Sequence, residues 1–177
     1  MGINDKLYEE GFERFPLQWV VGQNLLLIIY FFIGFMGMYP LKVYGFPIVS
    51  VLFIVYMAVM LVSLLRKHLC TNCYYYGKMC HVGWGKLSSG LFKPHSGSYS
   101  LGGKLGNITW VVATIVPIVA VSVVVIRRWF STFHVILLLF LVVLSCTNFF
   151  IQRKSCENCK MRFICPGSMV KGDKLWK

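Results

Sequence analysis

Acidic residues are scarce in this chain. Only six Asp and Glu stand against 18 Lys and Arg, which gives a formal net charge of +12. None of the six lies inside a long apolar run, and this argues against a proton relay or cation carrier that depends on buried carboxylates. The chain also lacks a nucleophile-elbow pattern, an H-E-x-x-H motif and paired carboxylates placed for acid–base work, so the common hydrolase signatures are absent.

Apolar residues, by contrast, are abundant. They make up 57% of the 177 residues, whereas soluble domains contain about 45 to 50%. Four apolar runs contain no charged residue, and each is long enough to cross the ~30 Å hydrocarbon layer as a helix that satisfies its own backbone hydrogen bonds. These runs are residues 17–38, 46–65, 108–126 and 131–151.

The four runs predict an all-α integral membrane protein whose transmembrane helices form two hairpins. We therefore expect the protein to be embedded in a lipid bilayer. An interfacial N-terminal segment precedes the first hairpin, and a cysteine-bearing segment follows each hairpin. The predicted segments are 1–16 (N-terminal), 17–65 (first hairpin), 66–107 (loop with a Gly/Ser-rich stretch), 108–151 (second hairpin) and 152–177 (tail).

The positive charges are distributed unevenly. Fifteen Lys and Arg lie in the N-terminal segment, the middle loop and the tail, and only Lys42, Arg127 and Arg128 lie in the two short hairpin loops. The positive-inside rule therefore predicts a protein of the cytoplasmic membrane with both termini and the middle loop cytoplasmic. Attraction to anionic headgroups accounts for the excess charge, so we do not expect nucleic acid as a partner.

Six of the seven cysteines form two similar sets, C-x2-C-x6-C after the second run and C-x2-C-x5-C after the fourth. An Arg-Lys pair precedes each set, and an Asn precedes each second cysteine, which favours a parallel internal repeat of one hairpin and one cysteine motif. We name the sets by their cysteines: the first knuckle has Cys70, Cys73 and Cys80, and the second knuckle has Cys156, Cys159 and Cys165.

These spacings indicate metal binding. Cytoplasmic thiols stay reduced, and two C-x2-C pairs on that side are typical metal ligands, with independent structural or redox thiols as the alternative. We predict that the six knuckle cysteines are ligands and that His81, next to Cys80, is a further candidate ligand. We expect Cys146, inside the fourth run, to pack as a small buried apolar residue.

The cysteine spacings resemble two known kinds of site. The first knuckle is similar to one half of the fungal binuclear zinc clusters, in which six thiolates hold two zinc ions. Here two apolar runs separate the halves, the second half is one residue shorter, and the DNA-binding context is missing. The second knuckle resembles the three-cysteine iron–sulfur motif of some nucleases and of radical-SAM auxiliary domains, and Cys165-Pro166 is similar to the Cys-Pro of ferredoxins. The resemblances imply an iron–sulfur cluster or zinc and leave the choice open.

Our leading functional hypothesis is an iron–sulfur electron-transfer or accessory subunit of a membrane complex. The basic cytoplasmic face would steer an acidic soluble redox carrier to it. The alternative is a scaffold or assembly protein that zinc stabilises and that has no turnover. A soft-metal carrier is a third hypothesis, but it needs thiols inside the bundle, where only Cys146 is expected. The sequence leaves open whether the protein is an enzyme.

Overall fold

A computed structural model describes residues 7–170 of the chain. The first six residues of the predicted segment 1–16 and the last seven of 152–177 lie outside the described residues. Within the described range the chain is helical and has no strand. The α-helices are α1 (Leu17–Met38), α2 (Ile48–Ala58), α3 (Leu65–His68), α4 (Trp84–Leu91), α5 (Tyr99–Arg127) and α6 (Thr132–Glu157).

Four helical stretches are long and apolar enough to span a membrane. Three are α1, α5 and α6, and the remaining one runs continuously over Ile48–Asn72. In that stretch a π-helical segment, Val59–Leu64, joins α2 to α3, and a 3-10 turn, Cys70–Asn72, follows α3. The prediction of an all-helical protein with four potential spans is therefore confirmed.

Helix α5 begins at Tyr99, nine residues before the start of the predicted third run. Ser98 caps it, with its side-chain oxygen 3.5 Å from a backbone N–H of the first turn. The glycines between residues 82 and 106 suggest a loop in the sequence, but several of them lie in helices and permit close packing. At Gly103, for example, an added Cβ would lie 2.5 Å from Cβ of Pro166.

The four long stretches form one bundle. Helix α1 packs against α2, α5 and α6, and α5 also packs against α6. Gly37 lets α1 approach α5 closely, since a Cβ there would lie 2.6 Å from Cγ2 of Val121. The Tyr30 hydroxyl donates to the carbonyl of Ala113 at 3.0 Å and so also ties α1 to α5. The buried core consists of Tyr30, Met38, Phe53, Met57, Ala113, Ala120, Val121, Val125 and Leu141.

The outward faces of the long helices are also apolar. On α1, Leu17, Ile28 and Phe32 are each more than 60% exposed, and so are Phe149 and Phe150 on α6. A soluble monomer rarely leaves so much contiguous apolar surface in contact with water. The surface is therefore compatible with an integral membrane protein, in which acyl chains cover these faces.

Candidate metal centre

Both cysteine knuckles lie at the same end of the bundle. At this end α1 begins next to the last turn of α6, and Trp19 Nε1 donates to Ser155 Oγ at 3.0 Å. The first knuckle follows α3, and its end is held against α1 because Asn24 Nδ2 donates to the carbonyl of Val82 at 3.1 Å. The second knuckle begins in the last turn of α6, where Cys156 lies, and the chain just after it packs through Pro166 against the first turns of α5.

The two knuckles have matching backbone turns at their first two cysteines. The N–H of Cys73 donates to the carbonyl of Cys70 at 3.3 Å, and the N–H of Cys159 donates to that of Cys156 at 3.2 Å. In each knuckle the N–H three residues after the second cysteine donates to the carbonyl of that cysteine, at 3.0 Å in both cases. The similarity of the sequence spacing thus extends to the hydrogen bonds of the backbone.

The match continues in two further hydrogen bonds. In each knuckle the N–H three residues after the third cysteine donates to the carbonyl of that cysteine. The distance is 2.9 Å for Cys80 and 3.1 Å for Cys165. Between the first two cysteines, Asn72 Nδ2 donates to the backbone carbonyl four residues earlier at 3.1 Å, and Asn158 Nδ2 does the same at 3.0 Å. The Asn that precedes each second cysteine therefore satisfies a carbonyl at the end of the preceding helix.

Backbone N–H groups also lie near the sulfurs of the second cysteines. The N–H of Tyr75 acts to lower the pKa of the Cys73 thiol, and the N–H of Met161 acts in the same way on the Cys159 thiol, each against a larger effect of burial. In both knuckles the donor lies two residues after the cysteine. A donor in this position stabilises a thiolate more than a thiol. The thiolate is the form of sulfur that binds a metal.

The two knuckles meet in one buried cluster. Cys73, Cys80, Cys159 and Cys165 all pack against its hydrophobic centre, which contains Phe15, Val20, Tyr75 and Met161. Cys73 lies close enough to Cys70, Cys159 and Cys165 to interact with them electrostatically, and Cys159 interacts in the same way with Cys156. The structure therefore brings together thiols from positions about 90 residues apart in the chain.

Tyr75 connects the knuckles directly. Its ring is only 2% exposed, and its hydroxyl accepts from the N–H of Lys160 in the second knuckle at 3.1 Å. The same hydroxyl donates to the carbonyl of Phe12 at 2.6 Å and lies within hydrogen-bonding reach of the Cys159 thiol. A second tyrosine hydroxyl, that of Tyr99, hydrogen-bonds with Cys165.

Burial makes the central thiols hard to ionise. It raises the pKa of Cys73 well above its ordinary value and that of Cys159 to about 12, and the neighbouring thiols act in the same direction. Without a cation the two groups are therefore neutral thiols at neutral pH. A bound metal would supply the positive charge that stabilises their thiolates, and binding would release protons.

The thiols do not yet form a coordination shell. Within residues 7–170, no three His, Cys, Asp or Glu side chains lie close enough together to hold one metal ion. The structure therefore shows thiols of both knuckles packed on one cluster, without the spacing of a ligand set.

His81 is a neutral histidine packed between the knuckles and the bundle. Its ring lies 5.9 Å from that of Phe15, and its Nε2 lies 3.0 Å from Oε1 of Gln152 on α6. Burial lowers the pKa of His81 to about 4. Because an amide oxygen only accepts, Nε2 carries the proton and Nδ1 keeps a lone pair. His81 therefore retains one nitrogen with which it can act as a ligand.

The seventh cysteine, Cys146, is exposed, whereas the sequence predicts that it is buried. It lies on α6 and is not in the buried core. The prediction that it packs as a buried residue is wrong, because a small apolar side chain in a membrane helix gains no more from burial in protein than from contact with lipid.

An N-terminal strap, residues 8–15, covers both knuckles. The N–H of Tyr8 donates to the carbonyl of Lys160 at 2.9 Å, and that of Phe15 donates to the carbonyl of Met79 at 3.0 Å. Gly11 allows this approach, because an added Cβ would lie 2.6 Å from the nitrogen of Lys160. The predicted interfacial segment therefore packs, in its described part, on the two cysteine motifs.

Glu13 joins the strap to both knuckles through charge. Its carboxylate lies 2.8 Å from Lys160 Nζ and 3.8 Å from Lys78 Nζ, and it accepts a hydrogen bond from the hydroxyl of Tyr74. The hydrogen bond from Lys160 and then that from Tyr74 lower the pKa of Glu13. The carboxylate thus stabilises the strap above its ordinary pKa, and the contribution is lost as the pH falls through the lowered value.

We predict that Glu13→Gln loosens the strap while the bundle stays folded. Strap amides should exchange with deuterium about two- to fivefold faster at neutral pH, the range expected when an exposed ion pair is lost. Glu9→Gln is the matched control, since it removes the same charge from the strap and Glu9 forms no ion pair within residues 7–170. Equal exchange in the two variants at neutral pH would show that Glu13 does not hold the strap.

The knuckle end of the bundle is strongly basic. Within residues 7–170, eleven of the fourteen Lys and Arg belong to segments at this end. The guanidinium of Arg66 lies over the Trp84 ring, 5.7 Å from its centroid, and interacts electrostatically with Cys70. A metal held by several thiolates carries net negative charge, which Arg66 would offset.

The fold and the site define a small helical protein with four potential spans and a cluster of thiols at one end. No protein-family model, curated protein or solved structure matches the chain. Function is therefore inferred from the geometry of the site.

Three parts of the site go beyond the sequence prediction. The strap and Tyr75 contribute to the thiol cluster yet carry no recognised motif. Arg66 belongs to the Arg-Lys pair before the first knuckle, but its place beside Cys70 was not predicted. The position of Tyr75 offers a signal in retrospect, because Tyr75 and Met161 occupy equivalent positions two residues after a cysteine, and both are buried. A comparison of the two knuckles position by position points to these residues.

Proposed function

We propose that the chain is an integral membrane protein built from two parallel repeats, each a helical hairpin followed by a cysteine knuckle. The matching turns of the knuckles support the repeat, since three backbone bonds and one Asn side-chain bond recur at equivalent positions of the two cysteine spacings. The excess of Lys and Arg at the knuckle end supports a cytoplasmic location for the knuckles and both termini.

We predict that a thiol placed in the loop between α1 and α2 is reachable from outside the cell. In intact cells, Lys42→Cys should react with a membrane-impermeant maleimide, whereas Lys93→Cys should react only after the membrane is opened. The two lysines are both exposed and lie at opposite ends of the bundle. The reverse pattern, measured against the unmodified chain, would contradict the proposed orientation.

We further propose that the two knuckles together form a metal centre, most consistently an iron–sulfur centre. The observation that carries this is the convergence of two knuckles that have equivalent backbone turns and an N–H group near the sulfur of each second cysteine. Hydrogen bonds to the sulfurs and exclusion of water are the means by which proteins set the potential of such a centre. The residues that would hold it are Cys70, Cys73, Cys80, Cys156, Cys159 and Cys165, with Nδ1 of His81 as a further ligand.

The function that this centre supports best is electron transfer, in an accessory subunit of a membrane complex. An iron–sulfur centre would supply one-electron chemistry. The chain's own residues would exclude water through the buried rings of Phe15 and Tyr75 and donate hydrogen bonds to sulfur. The basic surface would attract an acidic soluble carrier to the same end.

We predict that protein purified without oxygen contains iron and acid-labile sulfide and absorbs near 400 nm. Zinc at about one or two ions per chain, without sulfide, would instead support the alternative of a zinc-stabilised scaffold, because six thiolates are enough for a bridged zinc pair. Metal analysis and sulfide analysis of the same sample distinguish the two. Absence of both metals in anaerobic protein would contradict either function.

A soft-metal carrier has less support. It requires thiols along a path through the bundle, and Cys146 is the one cysteine in the described residues away from the knuckles. Since Cys146 is exposed on α6, it does not line the interior of the bundle.

A further inference from the structure

An open groove of about 700 Å³ lies between the first turns of α1 and helix α4. Its α1 wall is formed by Val20 and Asn24, and its α4 wall by Leu87 and Leu91, which are 54% and 57% exposed. These two leucines are four residues apart and so share one face of α4. The groove is therefore an apolar channel with one wall on a potential membrane helix.

The groove opens beside the first turns of α1, one of the four helical stretches that are long and apolar enough to span a membrane. Asn24, whose side chain holds the carbonyl of Val82, is seven residues after the start of α1, or about 10 Å along its axis. Trp19, near the start of α1, is of a type that prefers the headgroup level. Helix α4 follows closely after Val82, so its apolar face meets α1 about 10 Å from the start of that helix. With α1 crossing the bilayer as proposed above, this places the groove next to the headgroup region.

One charged side chain lines the groove. Lys86 is exposed on α4 and forms no ion pair within residues 7–170. The other lining side chains are apolar, apart from the amide of Asn24. An apolar channel with a single cation at its rim is complementary to an amphiphile that has one apolar chain to bury and a negative head.

We infer that this groove binds an anionic phospholipid, with an acyl chain between α1 and α4 and the phosphate on Lys86. The inference does not rest on the metal centre. The lipid would hold α4 against the membrane and, through Val82, hold the end of the first knuckle in place. A zwitterionic lipid also offers a phosphate, but its ammonium group weakens the attraction to Lys86, which is why we assign a lipid with net negative charge.

Two variants test the two halves of the site. Lys86→Gln removes the cation from the exposed face of α4. Gly90→Leu fills the groove, because Gly90 lines it and an added Cβ there meets no atom within 4 Å. Matched controls lie outside the groove: Lys93→Gln removes an exposed cation, and Gly22→Leu adds a side chain on α1 where a Cβ also meets no atom within 4 Å.

The full chain would be reconstituted in nanodiscs with equal amounts of phosphatidylglycerol and phosphatidylcholine, released into mild detergent, and analysed for retained lipid by native mass spectrometry. We expect the unmodified chain and both controls to retain phosphatidylglycerol preferentially. Lys86→Gln should reduce that retention about fivefold, and Gly90→Leu should abolish it. Equal retention of the two lipids by the unmodified chain would overturn the inference. So would equal effects of Lys86→Gln and Lys93→Gln, or preferential retention of a neutral isoprenoid quinone when one is included.

Discussion

Replacing Cys73 with serine is expected to remove the metal from both knuckles, not only from the first. Cys73 interacts with Cys159 and Cys165 of the second knuckle as well as with Cys70. If the thiols share one centre, losing a central ligand leaves too few sulfurs on either side to hold it. Metal content per chain should fall below about a tenth of that of the unmodified protein, since even changes outside the ligand shell cost 10- to 100-fold in metal affinity.

The equivalent variant of the second knuckle, Cys159→Ser, should have the same effect. Cys146→Ser is the matched control, because Cys146 is exposed on α6 and lies away from the knuckles. It should retain the full metal content. Retention of half of the metal by each knuckle variant would mean that the knuckles bind independently, and the shared centre would then be wrong.

Adding one methyl group at Gly85 is expected to displace the first knuckle. Gly85 lies in the first turn of α4, and its Cβ would overlap the carbonyl oxygen of Tyr75 and lie 2.7 Å from that of Lys78. Both contacts are with backbone, which cannot rotate away as a side chain can. We expect Gly85→Ala to lower the free energy of unfolding by about 2 kcal/mol, a fall of about 4–8 °C in unfolding midpoint, together with loss of metal.

Gly90→Ala provides the matched control on the same helix. An added Cβ at Gly90 meets no atom within 4 Å, and alanine favours a helix over glycine by up to ~1 kcal/mol. Thermal unfolding in detergent should therefore show an unchanged or slightly higher midpoint for Gly90→Ala. A midpoint for Gly85→Ala equal to that of the control would show that α4 does not pack tightly against the first knuckle.

The potential spans were predictable because one physical requirement dominates them. A helix that crosses the hydrocarbon layer needs about 20 apolar residues without charge, and this pattern is visible in any single sequence. The start of α5 was not predictable in the same way. Its glycines indicate a loop when only local preference is considered, but Gly103 is needed for the contact with Pro166, and this contact exists only in the folded chain.

The candidate site was predictable in its residues but not in its surroundings. The spacing of the cysteines and the Asn before each second cysteine indicate two equivalent motifs, and the structure gives them equivalent turns. The roles of Glu13 and Tyr75 depend on contacts between segments far apart in the chain, such as the 85 positions between Tyr75 and Lys160. Neither residue type nor spacing indicates such contacts.

X-ray absorption at the iron edge of anaerobically purified full-length protein tests most directly whether thiols of the two knuckles share one metal centre. The account predicts an inner shell of sulfur around each iron and a second shell from neighbouring iron, both lost in Cys73→Ser and in Cys159→Ser. A shell made only of nitrogen and oxygen, or a sulfur shell that survives in either variant, would contradict it.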